Sequence, residues 1–241
     1  MLNVEIKLKE NVDPEDCIFI TGFHSVIGET GYVAVRHLIK TLKPERIGFI
    51  DTALLPQLTG LENSQLTLPF ELFKSENLVI LFPRVIPYRA EQRRFAQTLT
   101  QWLIENKFRE AVLIGGLDNQ FKSGETDCRV VPTGAMLEKT QENKLVLLEE
   151  GLNVFGPLAL TLIYLETKNF PALAILPFAQ RGRPDPRAAA VAIEKINALY
   201  GLSISTTELI RDAREIEEEI GKILKQQEEI QKREPREDMY I

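Results

Sequence analysis

Residues 22–31, GFHSVIGETG, gather the densest set of groups in the chain that could do chemistry. Gly22, Gly28 and Gly31 stand between an apolar run and a helical pattern, where a glycine turn can cradle phosphate against helix N-terminal amides. The spacing is not GxGxxG, and no Gly-Lys-Ser/Thr follows, so neither the dinucleotide nor the P-loop signature is met. The favoured reading is glycines required for a tight turn and close helix–sheet packing. His24-Ser25 with Glu29 offers the residue types of a nucleophile, a base and an acid, but no GxSxG elbow holds them. A loop histidine is the simpler reading. GGL at 115–117 marks a crevice at a sheet's C-terminal edge, where α/β proteins often take ligands. QRGRPDPR at 180–187 sets three arginines beside an aspartate, as an anion site or, as favoured here, a solvated turn. Cys17, Cys128, His24 and His37 are too few and too scattered for a zinc site of the usual ligands. No stretch unites acid, base and nucleophile. The expectation is therefore no catalytic residue, no cofactor, no metal, and no enzyme.

Composition narrows the partners. The 241 residues are 44% hydrophobic and 27% charged with a net charge of -6, which argues against nucleic acid as the main partner. No run of about 18 apolar residues is present to span a membrane; FGPLALTLIYLE is shorter and opens on a Gly-Pro break. The opening MLNVEIKLKE alternates charge with apolar residues, unlike a secretory leader. A cytoplasmic protein is expected.

The elements that must position these residues alternate in type. LNVEIKL (2–8) reads as a half-buried strand, CIFITGF (17–23) as a buried one, and GETGYVAVRHLIKTL as a helix stopped by Pro44. RIGFID (46–51) completes a βαβ unit, which predicts a parallel sheet with a right-handed crossover. NLVILFP (77–83) is a strand, and RAEQRRFAQTLTQWLIENK a helix with Phe95, Leu99, Trp102 and Leu103 on one stripe. EAVLIGGL, DCRVVPTG and KLVLLEEG read as further strands. GPLALTLIYLETKN begins a helix with Pro157 in its first turn, PALAILPF is a buried strand, and DPRAAAVAIEKINALYG a helix with Asp185 as N-cap and Gly201 as stop. The alternation predicts an α/β domain, a three-layer α/β/α sandwich over residues 1–204.

The remaining chain differs in kind. Ser205-Thr206-Thr207-Glu208 fits a capping box. From there Leu209, Ala213, Ile216, Ile220, Ile223, Gln227 and Ile230 keep a 4,3 spacing amid charges, a heptad seam. Residues 205–234 thus predict a helical arm of about 42 Å, from about 28 residues at about 1.5 Å each. An arm that pairs with another copy or projects from an oligomer is favoured over one folded back on its own domain. Pro235 ends it, and 235–241 form a charged tether that closes on Met239-Tyr240-Ile241.

Taken in order, TGFHSVIGETGYVAVRHLIKTL with IGFIDT, then VLIGGL, EEGLNVFGPLALTLIYLE and DPRAAAVAIEKINALYGLSI resemble the proteasome assembly chaperone family in its archaeal form. The likeness runs from about Asn3 to the end of the arm. It implies an α/β/α fold similar to nucleoside phosphorylases, no enzymatic activity, homo-oligomers, and partnership with the 20S proteasome in assembly or activation. The closing Met-Tyr-Ile matches the hydrophobic–Tyr–any-residue (HbYX) motif of proteasome-activating ATPases, which docks between α-subunits and helps open the gate. On that resemblance Met239 is the hydrophobic position, Tyr240 the tyrosine, and Ile241 supplies the terminal carboxylate. An apolar side chain and a phenol bury area with few rotors to freeze, and a carboxylate can pair with a lysine or backbone amides. The absence of a Walker motif implies an ATP-independent action. Two alternatives stay open: a phosphorylase-like or small-molecule-binding α/β enzyme using the Gly22–Gly31 turn, and a scaffold that binds proteasome subunits without opening the gate.

Overall fold

Strand residues alternate between two faces, and both faces here are apolar, so helices must cover the sheet on each side. A computed structural model describes residues 3–9 and 12–218 and shows that arrangement. In chain order the elements are β1 (Val4–Leu8), β2 (Ile18–Gly22), α1 (Thr30–Leu42), β3 (Glu45–Thr52), the short β4 (Leu61–Glu62) and β5 (Gln65–Leu66), β6 (Phe70–Ser75) and β7 (Leu78–Pro83). There follow α2 (Gln92–Glu105), β8 (Glu110–Ile114), β9 (Leu117–Asp118), β10 (Cys128–Pro132), α3 (Leu137–Glu142), α4 (Gly156–Thr167), β11 (Ala172–Ala179) and α5 (Pro186–Tyr200). A terminal helix begins at 207 and is described to 218.

The main sheet runs β1-β3-β6-β7-β2-β8-β11-β10, with β9 added against β11. β7, β2, β8 and β11 are parallel neighbours, while β1, β6 and β10 run against theirs. β2 and β3 do share a direction, as the βαβ reading predicts, but the β6–β7 hairpin lies between them and makes the sheet mixed. The sequence reading passed over β6. Its turn, Glu76-Asn77, places Glu76 at φ 50° and aligns Ser75 with Leu78, a two-residue hairpin loop.

Alternation sorts the core. Phe19, Val79, Leu81, Ala111 and Leu113 face α2 and α4, where Phe95, Leu99, Leu103, Leu158 and Leu165 meet them. Ile18, Ile20, Ile80, Val112 and Ile114 face α1 and α5, against Leu38, Ile193 and Ile196. The three predicted layers are present. Asp185 caps α5 by accepting from the Ala188 amide at 3.1 Å, and Gly201 ends it at φ 64°.

Two local expectations fail for visible reasons. KLVLLEEG is not a strand: it crosses β10 at one point, where the Val130 amide donates to Val146 and the Leu148 amide to Val130. Leu148 and Leu152 instead pack over Leu176 and Phe178. The capping box does not form either. The Ser205 hydroxyl serves the Thr207 amide at 3.4 Å, and the Glu208 carboxylate goes to Lys40 at 2.9 Å. That lysine holds the Glu208 carboxyl below the usual carboxylate range.

Candidate functional site

All the parallel strands end on one edge of the sheet, and β3 ends there too. The loops 23–29, 53–69, 84–91, 115–127 and 180–185 therefore crowd that edge, the place where this architecture keeps ligand crevices. The glycine turn occupies its centre, and its glycines are consumed by backbone contacts. A methyl on Gly31 would lie 2.3 Å from the Ile114 carbonyl oxygen, and one on Gly22 would lie 2.6 Å from Gly31 Cα. Gly28, at φ 63°, accepts at its carbonyl from the Asp185 amide at 2.8 Å, and Val26 accepts from Gly182 at 2.8 Å. Loop 180–185 is thus hydrogen-bonded onto the turn. Its Asp185 carboxylate also accepts from the Gln180 amide at 2.9 Å, which makes QRGRPDPR a capped turn.

The groups that suggested catalysis are committed elsewhere. His24 Nε2 donates to the Arg84 carbonyl at 3.0 Å, its ring stacks on Tyr32, and Nδ1 lies 3.5 Å from Glu29. Ser25 Oγ accepts from the Ile27 amide at 3.2 Å and makes no bond to His24. Glu29 stands at the mouth of α1, so a carboxylate, not open space, meets an approaching phosphate. Cys17 and Cys128 are buried and free, and burial pushes both thiols up, away from reactive thiolate. Among the described residues no cluster of three or more His, Cys, Asp or Glu is placed to hold a metal.

The terminal helix gives the edge a second meaning. Leu209 and Ala213, the first two seam positions, are buried, Leu209 in the same core as α1 and α5. His37, itself buried, donates from Nε2 to the Ser205 carbonyl at 2.7 Å, and Glu217 forks onto Arg187 at 3.0 Å. Over 207–218 the helix therefore folds back on its own domain. It runs from the last turns of α1 to the first turn of α5 and reaches the crowded sheet edge at Glu217. Leu209→Ala should cost about 2–3 kcal/mol in urea unfolding, as buried leucines do. An arm standing free from residue 205 would instead leave stability unchanged. Met239, Tyr240 and Ile241 lie outside the described residues.

The sequence reading missed what else this edge carries. Loop 53–69 holds Leu54, Leu55, Leu58, Leu61 and Leu66, all exposed, with Leu61 and Leu66 paired across β4–β5. Ile86 and Tyr88 are exposed beside them. Beneath, the buried Glu71 accepts from Arg46 at 2.9 Å and from Arg84 at 2.7 Å, and Arg84 reaches Glu62 at 2.6 Å. The fully buried Glu91 receives the Leu54 amide at 2.8 Å. A leucine-rich stretch with neither a two- nor a 3.6-residue period was the available signal.

The sequence profile of the PAC2 family matches residues 19–224. The chain belongs to the PAC2 family. An uncharacterised protein of Methanocaldococcus jannaschii is 23% identical over 218 residues, 90% of each chain. Among solved structures, Pyrococcus furiosus PbaA, described as an archaeal homologue of proteasome-assembly chaperone, superposes with a TM-score of 0.79 at 24% identity over 99% of both chains. P. furiosus PbaB, described as an archaeal proteasome activator, gives 0.73 at 22% identity over 91% of this chain and 98% of its own. The PAC2 fold thus accounts for the described domain of this protein. No helix among its described residues is long and apolar enough to cross a membrane.

Proposed function

We propose that this PAC2 protein is a cytoplasmic, ATP-independent assembly chaperone and activator of the 20S proteasome, acting by binding and not by catalysis. The observation that carries the reading is the likeness to PbaA over 99% of this chain and to PbaB over 91% of it, on a sequence that closes with Met239-Tyr240-Ile241. The terminal helix is rooted in the domain through Leu209, Ala213 and Arg187–Glu217, so the 23 residues after Glu218 start from a fixed point. In this reading Met239 and Tyr240 fill a pocket between α-subunits, and the Ile241 carboxylate pairs there with a cation or backbone amides. Several copies in one homo-oligomer raise the effective concentration of a tail that binds weakly alone.

The test is hydrolysis of a fluorogenic peptide by purified archaeal 20S particles. The full chain should stimulate it, and deletion of residues 239–241 should remove at least about 90% of the stimulation, with Tyr240→Ala close behind, as for loss of a hot-spot anchor. Equal stimulation by full and shortened chains would end the tail model. Binding of both chains to isolated α-subunits, without stimulation of mature particles, would instead mark a scaffold that never opens the gate.

A further inference from the structure

The edge that carries the glycine turn also carries most of the exposed apolar surface. Among the described residues, nine of the fourteen exposed large apolar side chains sit in loops on this one edge. Seven of them belong to segments 54–66 and 86–88, which the Glu71–Arg84–Glu62 and Glu91–Leu54 bonds hold side by side. Leu61 is 78% exposed and Leu66 56%, paired across a two-stranded hairpin that ordinarily needs further packing to be stable. Seven such side chains near half exposure present an area above the few hundred Å² usual on a monomer and on the order of the 800 Å² per partner of a stable pair.

From this surface we infer that the apolar crest formed by Leu54, Leu58, Leu61, Leu66, Ile86 and Tyr88 is the contact through which a second copy of this chain binds. Its chemistry selects that occupant. The ion pairs under the crest close within the protomer, since Glu71 takes two arginines and Arg84 takes two carboxylates. What the crest itself presents is apolar, and interfaces between identical chains are more apolar than transient ones. The outer strand β1 offers no rival contact: its exposed face carries Glu5 and Lys7, with Lys7 paired to Asp51 at 2.6 Å, as a guarded edge strand should. The crest contact deepens the oligomer assumed in the proposed function, and its test needs no proteasome.

Sedimentation velocity on the full chain over a wide concentration range should show reversible association. Leu61→Glu with Leu66→Glu should raise its dissociation constant at least about 30-fold, the effect of losing a hot spot. Phe155→Glu, at a residue 81% exposed outside the crest, should leave it unchanged. Amides 54–66 should exchange hydrogen more slowly in concentrated than in dilute wild-type protein, a readout that does not depend on how the variant folds. A wild-type monomer at all concentrations overturns the inference, as does a natively folded double variant that still associates. Exchange at 54–66 that is indifferent to concentration but quickens on truncation after Glu218 also overturns it, by assigning the cover to the chain's own end. Deleting 239–241 should leave association intact, so loss of stimulation with an intact oligomer speaks to the tail alone.

Discussion

Gly31→Ala should destabilise the domain by about 3–5 kcal/mol, a fall in Tm on the order of 10 °C for a chain of this size. The expectation runs against the intrinsic preference: alanine in place of a helical glycine ordinarily gains about 1 kcal/mol. What reverses the sign is the 2.3 Å gap to the Ile114 carbonyl oxygen and the 3.0 Å gap to Gly22 Cα. Both are backbone atoms of central strands and cannot turn aside, so α1 would have to lift from the sheet and loosen Ala34, Val35 and Leu38, all fully buried. Gly60→Ala is the control, since a methyl there has only the Thr67 hydroxyl at 3.6 Å for company and should change stability by less than about 0.5 kcal/mol. Thermal or urea unfolding of the two variants decides the matter. A neutral Gly31→Ala would mean that the glycine turn is not held by close packing and would reopen the ligand-cradle reading.

The second large effect belongs to Glu71. It is buried on β6, and its two oxygens separately receive Arg46 and Arg84. Glu71→Ala removes the shared acceptor and leaves two guanidinium groups facing each other under the crest. Breaking a buried pair from one side costs about 3–5 kcal/mol, and because both arginines retain some contact with water the lower end, about 3 kcal/mol, applies here. The loss should be local as well as global. Arg46 also donates to the Leu66 carbonyl at 2.6 Å and Arg84 to Glu62, so hydrogen exchange at 61–66 should accelerate before the rest of the sheet opens. Glu71→Gln, which keeps the shape but loses the charge, should fall between the variant and the wild type. Unchanged exchange at 61–66 in Glu71→Ala would show that the hairpin does not depend on this anchor.

Where the sequence spoke clearly, it did so through local physics. The Phe95–Leu103 stripe, the Asp185-Pro186 start and the Gly201 stop each involve residues within a few positions of one another, and the structure reproduces them. The missing pieces depend on distant partners. Nothing near Gly31 announces Ile114, eighty-odd positions on, as the reason it must be glycine. KLVLLEEG has the composition of a strand, but its Leu148 answers to Leu176 and Phe178 and not to a ladder. Glu208 followed the capping-box pattern until Lys40, reached only through the fold, offered a stronger partner. The crest is the extreme case, because its leucines sit in a loop whose role is defined by where three strands happen to end. Conversely, Met239-Tyr240-Ile241 is legible only as sequence.

The way the last helix is fastened has a mechanical meaning. Its axis lies along α1 and α5, with Ser205 and Glu208 tied at one end, Glu217 at the other, and Leu209 and Ala213 sunk between them. A pull along that axis beyond Glu218 is then borne along the length of that seam, so several ties must slip together before any one gives. Peeling the helix outward would load them one at a time. Under the proposed binding by the last residues, a load along this axis meets the ties in their strongest arrangement.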